Sequence, residues 1–109
     1  HLASSAASDV YKRQVGNNNV KIMFDFYHVQ ISQGNVLTRF KDNFNFIGHV
    51  QMASVPERNE PIFGELNYSN ILSEIYKFGY QGYVGAEYNP LTNTDEGLSW
   101  MKEINREDK

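Results

Sequence analysis

KIMFDFYHVQ, residues 21–30, runs an apolar, strand-like stretch directly into a carboxylate, Asp25, with a Tyr-His pair close behind. Residues 20–26 are apolar on both faces, the pattern of a parallel strand covered by helices rather than of a half-exposed antiparallel one. Working outward, residues 17–19 are turn-forming asparagines. Gly34 and Asn35 open a helical stretch that carries Val36, Leu37, Phe40 and Phe44 on one side. Residues 46–52 read as a second strand. A long polar segment, SVPERNEPIFGELNYSN, then leads to a helix with Ile71, Leu72, Ile75 and Phe78 on one face and Gly79 as its stop. Residues 82–88 form the third strand and Pro90 ends it. Thr94 is placed as an N-cap with Asp95 and Glu96 in the first turn, and Leu98, Met101 and Ile104 mark a final helix. The order is βαβαβα, which defines an α/β fold with a parallel sheet.

Composition narrows the function classes. With 109 residues, 40% of them apolar and 21% charged, the chain has the make-up of one globular domain. A formal charge of -3 supplies no field for gathering nucleic acid or an anionic membrane surface. The absence of cysteine removes disulfides and thiolate metal sites and fits a reducing compartment. No apolar run approaches the ~20 residues of a membrane span, so a cytoplasmic location is the default expectation. Residues 1–14, HLASSAASDVYKRQ, are small and polar and then basic. SSAASDVYKRQ resembles translated sequencing-adaptor read-through, so 1–14 are read as a foreign or disordered extension, 15–105 as the folded part and 106–109 as a polar tail.

Side-chain alternation along the strands picks out the chemistry. Asp25 shares a face with Met23, opposite Ile22, Phe24 and Phe26; Gln51 shares one with Ile47 and His49; Glu87 shares one with Tyr83 and Gly85. Each strand therefore ends in a strongly polar residue on the face turned away from its apolar set. The spacings from Asp25 to Gln51 and from Gln51 to Glu87 bracket the roughly 31 residues per unit of a (β/α)8 barrel of about 250 residues. Two carboxylates and an amide drawn together with little water would repel unless a cation sat between them. Hard oxygen donors suit Mg2+ or Mn2+, and His49 leaves room for a softer metal. On the pattern alone, three unrelated polar caps at strand ends remain an equal alternative. The long loop after the second strand falls where α/β sheets keep their chemistry.

At these residues the chain resembles the C-terminal part of the hydroxypyruvate isomerases, within the xylose-isomerase-like TIM-barrel superfamily. The likeness rests on FDFYHVQ (24–30), GHVQMASVPERNEP (48–61), GELNY (64–68), GYVGAEYNP (82–90) and EGLSW (96–100), in family order. It implies a partial (β/α)8 barrel, approximately the last three βα units. It also implies that Asp25, Gln51 and Glu87 are metal ligands and that Glu87 is one of two catalytic glutamates. Gln51 in the ligand position points to this branch rather than to the ketose 3-epimerases, which usually carry His there. One departure stands in VPERNEP, where the family usually has Gly before Arg58 and His in place of Asn59.

The implied reaction interconverts hydroxypyruvate and tartronate semialdehyde by moving a proton between adjacent carbons through an enediolate. A divalent metal would act as Lewis acid and template, and carboxylates such as Glu87 would shuttle the proton. Arg58 offers a planar two-point donor to the substrate carboxylate. His28 and His49 are candidates for donating to ligands or substrate oxygens, or for purely structural roles, and Glu60 for orienting Arg58 or its loop. Three βα units do not close an eight-stranded barrel, so the chain is expected to be inactive alone and to lack the second glutamate. A related sugar-acid isomerase acting on 2-oxo-tetronates, a ketose epimerase, or a noncatalytic binding module are the competing readings. A DNA-repair endonuclease fits the acidic balance poorly.

Overall fold

The computed structural model describes residues 2–4, 21–92 and 100. Its elements are β1 (Leu2–Ser4), β2 (Lys21–Asp25), α1 (Phe26–Ser32), α2 (Val36–Asp42), a 3-10 turn (Phe44–Phe46), β3 (Ile47–Met52), α3 (Tyr68–Phe78) and β4 (Val84–Ala86). The four strands form one sheet in the order β1-β2-β3-β4, every neighbouring pair parallel. Among the described residues no helix is long and apolar enough to cross a membrane.

β2 follows the expected alternation, with Ile22 and Phe24 fully buried and Met23 half-buried. It stops one residue earlier than predicted because Asp25 caps a helix. Its Oδ1 accepts from the Tyr27 and His28 backbone N–H groups at 2.9 and 3.3 Å, satisfying two of the donors that open a helix. Phe26 is thus the first residue of α1, although it remains in the core. The sequence reading missed α1, whose β-branched and aromatic residues imitate a continuing strand. Gly34 and Asn35 adopt positive φ (72° and 52°) and start α2 where predicted. Phe44 and Phe46 belong to the 3-10 turn, so β3 begins at Ile47 rather than at residue 46.

On β3, Val50 and Met52 are buried while His49 and Gln51 lie half-buried on the other face. α3 is capped by Asn67, whose side chain accepts from Asn70 N–H at 3.1 Å, and it buries Tyr68, Ile71, Leu72 and Ile75. It therefore starts inside the segment read as loop. Phe78 does not share that buried face: it is 45% exposed and packs edge-on against Phe44, with the Lys41 ammonium over its ring. Gly79 ends the helix at φ 120°, in the left-handed region that a Cβ disfavours. β4 is shorter than residues 82–88, since the Tyr80 hydroxyl takes the Tyr83 carbonyl at 2.6 Å before ladder pairing begins.

The core lies between the sheet and the helices. Phe24, Phe26 and Phe40 pack with centroids 4.9 to 6.0 Å apart, and Tyr68 meets Phe26 edge-on at 6.1 Å. Edge-to-face pairs of this kind add about 0.5–1.5 kcal/mol each beyond the area they bury. The final helix, with Thr94, Asp95, Glu96, Leu98, Met101 and Ile104, lies outside the described residues. Trp100, helical and buried, donates its indole N–H to the Tyr88 hydroxyl at 3.0 Å. Residues 1–14 are not wholly apart from the fold, because Leu2–Ser4 extends the sheet beside β2, with Leu2 opposite Lys21. Backbone pairing with an available strand edge asks little of side-chain chemistry, which is why composition gave no sign of it.

Candidate active site

Register brings the polar strand ends level. Asp25 stands opposite Gln51, and Gln51 opposite Gly85, across three adjacent parallel strands. One residue past β4, the Glu87 N–H still donates to the Met52 carbonyl at 3.2 Å, which carries Glu87 alongside the end of β3. Its carboxylate Oε2 accepts from Gln51 Nε2 at 2.9 Å. Gln51 Oε1 faces His49 Nε2 at 2.9 Å. An amide oxygen only accepts, so this contact requires the proton on His49 Nε2.

Gly85 makes the arrangement possible. A Cβ there would collide with Gln51 Oε1 and stand 3.1 Å from His49 Nε2. Glycine within a strand often marks such a close approach, and this was the signal in the sequence that could have pointed to it. Asp25 is 5% exposed. Its Oδ1 serves as the helix cap, and its Oδ2 lies 3.8 Å from His28 Nε2. Two carboxylates and an amide oxygen are hard donors of the type that would suit Mg2+ or Mn2+ if they met at one cation. Among the described residues no three His, Cys, Asp or Glu side chains cluster as a metal site.

The 53–67 loop folds back over this rim. Ser54 N–H donates to the Asn59 carbonyl at 3.0 Å and Arg58 N–H to the Ser54 carbonyl at 2.9 Å, closing a tight turn that contains a cis Val55–Pro56 bond. Arg58 takes φ 59° at its apex. Its guanidinium carbon sits 4.9 Å from the Tyr27 ring centroid, and its Nη2 is 3.8 Å from Glu87 Oε1. Tyr27 is thus a platform for Arg58. Tyr68 pins the start of the loop: its buried hydroxyl donates to the Ala53 carbonyl at 2.8 Å and accepts from Ala53 N–H at 3.3 Å. Burial first of all, and then the charge of Asp25, push the Tyr68 hydroxyl well above the usual tyrosine range, while the bond to Ala53 opposes the shift. The phenol therefore stays protonated.

The structure thus gathers Gln51, Glu87, His49 and Arg58 into one connected group. Asp25 reaches it through strand register and is joined to His28. Glu60 is not part of that group: it is 5% exposed and its Oε1 accepts from the Leu91 N–H at 3.3 Å, tying the loop to the segment after β4.

The architecture fits a known class. The family described as a xylose isomerase-like TIM barrel matches residues 8–104, and the chain belongs to it. A 2-oxo-tetronate isomerase of Cupriavidus necator is 46% identical over 83% of this chain and 35% of its own length. A hydroxypyruvate isomerase of Escherichia coli is 44% identical over 93% of this chain and 39% of its own. Among solved structures, one titled AP endonuclease, family 2, from Brucella melitensis superposes with a TM-score of 0.83 at 38% identity, over 92% of this chain and 39% of that one. The chain spans little more than a third of the length of these relatives.

Proposed function

We propose that the protein is a sugar-acid isomerase that interconverts hydroxypyruvate and tartronate semialdehyde, with Asp25, Gln51 and Glu87 as ligands to a divalent cation, Mg2+ or Mn2+. The observation that carries this reading is the alignment of Asp25 with Gln51, together with the 2.9 Å bond from Gln51 to Glu87. These place oxygen-bearing side chains at the ends of three adjacent parallel strands, where barrels of this kind keep their active sites. Relatives named for the same chemistry support it.

The bound cation would supply Lewis-acid stabilisation of the negative charge that develops on the substrate oxygens. The chain's own residues do the rest. Arg58, held over Tyr27, presents two parallel N–H groups to the substrate carboxylate. Glu87 removes or returns the proton on one of the two adjacent carbons, general acid-base work commonly worth about 10²- to 10⁴-fold. His49, whose Nε2–H faces the Gln51 amide oxygen, would donate to a substrate oxygen. Glu60 holds the loop on which Arg58 rides.

The Cupriavidus relative makes 2-oxo-tetronates the second substrate class, since they share the carboxylate that Arg58 would bind and the adjacent carbons between which a proton moves. A nucleic-acid substrate is disfavoured by the net charge of -3. The test is an NMR assay in D2O of the protein at its full natural length, with Mg2+ or Mn2+ and a panel of both substrate classes. Interconversion with deuterium appearing at the reacting carbon, and its loss in Glu87→Gln, is the expected result. Turnover of neither class, or full activity in Glu87→Gln, would refute the proposal.

A further inference from the structure

We infer that Asn59 is a positioning residue that holds Arg58 against Glu87 by clasping the loop after β3 to the segment after β4; this rests on the isomerase reading above. Its Nδ2 donates to the Asn89 carbonyl at 2.8 Å, and the Asn89 N–H donates to the Arg58 carbonyl at 2.8 Å. These two bonds join neighbouring residues of the loop to both backbone groups of one residue, and that residue lies two positions after Glu87. The loop side of the clasp is itself fixed, because Asn59 N–H donates to Ser54 Oγ at 2.8 Å and its carbonyl accepts from Ser54 N–H. Ser54 is 1% exposed, so the turn cannot slide without breaking buried bonds. Arg58 and Glu87, whose side chains approach to 3.8 Å, therefore project from two segments whose separation the Asn59 amide sets together with the Asn89–Arg58 backbone bond and the Leu91–Glu60 bond. A neutral amide suits the task. It donates to Asn89 without adding a charge beside the Arg58–Glu87 pair.

The obvious competing role is local packing of the loop, and the two can be told apart by variants. Asn59→Asp keeps the shape but opposes a carboxylate to the Asn89 carbonyl, whereas Asn59→His changes the shape and keeps an N–H donor. If donation to Asn89 sets the geometry, Asn59→Asp lowers kcat/KM by about tenfold or more, mainly through KM as Arg58 loses its place, and Asn59→His retains more activity. If the residue only packs, the order reverses. Hydrogen exchange on the same full-length protein gives a readout that does not require turnover: Asn59→Asp should lose protection over residues 87–91 while the α3 amides keep theirs. Reversal of the variant order, or unchanged protection over 87–91, overturns the inference. An inactive wild type in which Asn59→Asp still loses that protection would instead sink the isomerase reading and leave the clasp standing.

Discussion

At Gly85 the two half-buried side chains of β3 occupy the space that any other residue would claim. The atom that a new Cβ would strike is the far end of Gln51, which can swing aside. Gly85→Ala should therefore cost little stability, about 1 kcal/mol or less, while displacing the amide from Glu87. Thermal melting near wild type together with a large loss of turnover is the expected outcome; an unchanged rate would mean that the Gln51 position is immaterial. Asp25 permits a similar separation, since it caps α1 and also faces the rim. Asparagine caps a helix about as well as aspartate. Asp25→Asn should accordingly melt close to wild type yet lose affinity for Mn2+, whereas Asp25→Ala should lose both, with roughly 1 kcal/mol of the stability loss due to the cap. Calorimetric titration beside thermal melts would check this, and tight Mn2+ binding by Asp25→Asn would count against a ligand role.

Between β3 and α3 the decisive contact is Tyr68 with both backbone groups of Ala53. Tyr68→Phe leaves a buried N–H and C=O without that partner and should cost about 1–3 kcal/mol, read from urea midpoints. The same hydroxyl gives the fold a pH dependence. Burial raises its pKa in the folded state, so the folded chain binds this proton more tightly than the unfolded chain does. The stabilisation is complete below the unfolded tyrosine value of about 10 and is lost as pH rises toward the folded one. Tyr80 shifts the same way, chiefly through burial and then through Tyr76. Urea midpoints should be level from about pH 8 to 9.5 and fall above 10, less steeply in Tyr68→Phe; a midpoint flat through pH 11 would contradict the assignment. Much of this element scale was legible in advance. Alternation placed Val50 and Met52 inward and Gln51 outward, and Gly79 stopped α3 where a left-handed residue was needed. The signals that failed were local ones overridden by tertiary contact: α1 concealed in strand-like residues, and Phe78 satisfied by Phe44 and Lys41 at the surface rather than in the core. The loop's inner bonds had no sequence signal, because an Asn that clasps a distant carbonyl looks like any turn Asn.

For the molecule as a whole, the described sheet is open. The helices cover the face that carries Ile22, Phe24, Val50 and Met52. The opposite face leaves Tyr83 89% exposed and Glu87 reachable, and β1 and β4 each have one strand neighbour among the described residues. Unpaired parallel edges beside a wet, partly apolar face favour association. Residues 1–109 expressed alone should therefore sediment with concentration-dependent size; a monodisperse monomer across the range would show that the edges are protected. At this scale the barrel class was legible because repeated strand-end polarity and five motifs agreed. The bonds between the ends of different strands were not, since they depend on register, and register is fixed by the whole sheet.

The proposed function requires Asp25, Gln51 and Glu87 to share one divalent cation. Its most direct test is an electron paramagnetic resonance titration of Mn2+ into the protein at its full natural length and into Glu87→Gln. The expected result is a saturable site in the wild type that Mg2+ competes for and that Glu87→Gln weakens severely. Absence of saturable binding, or equal affinity in the two proteins, would contradict it.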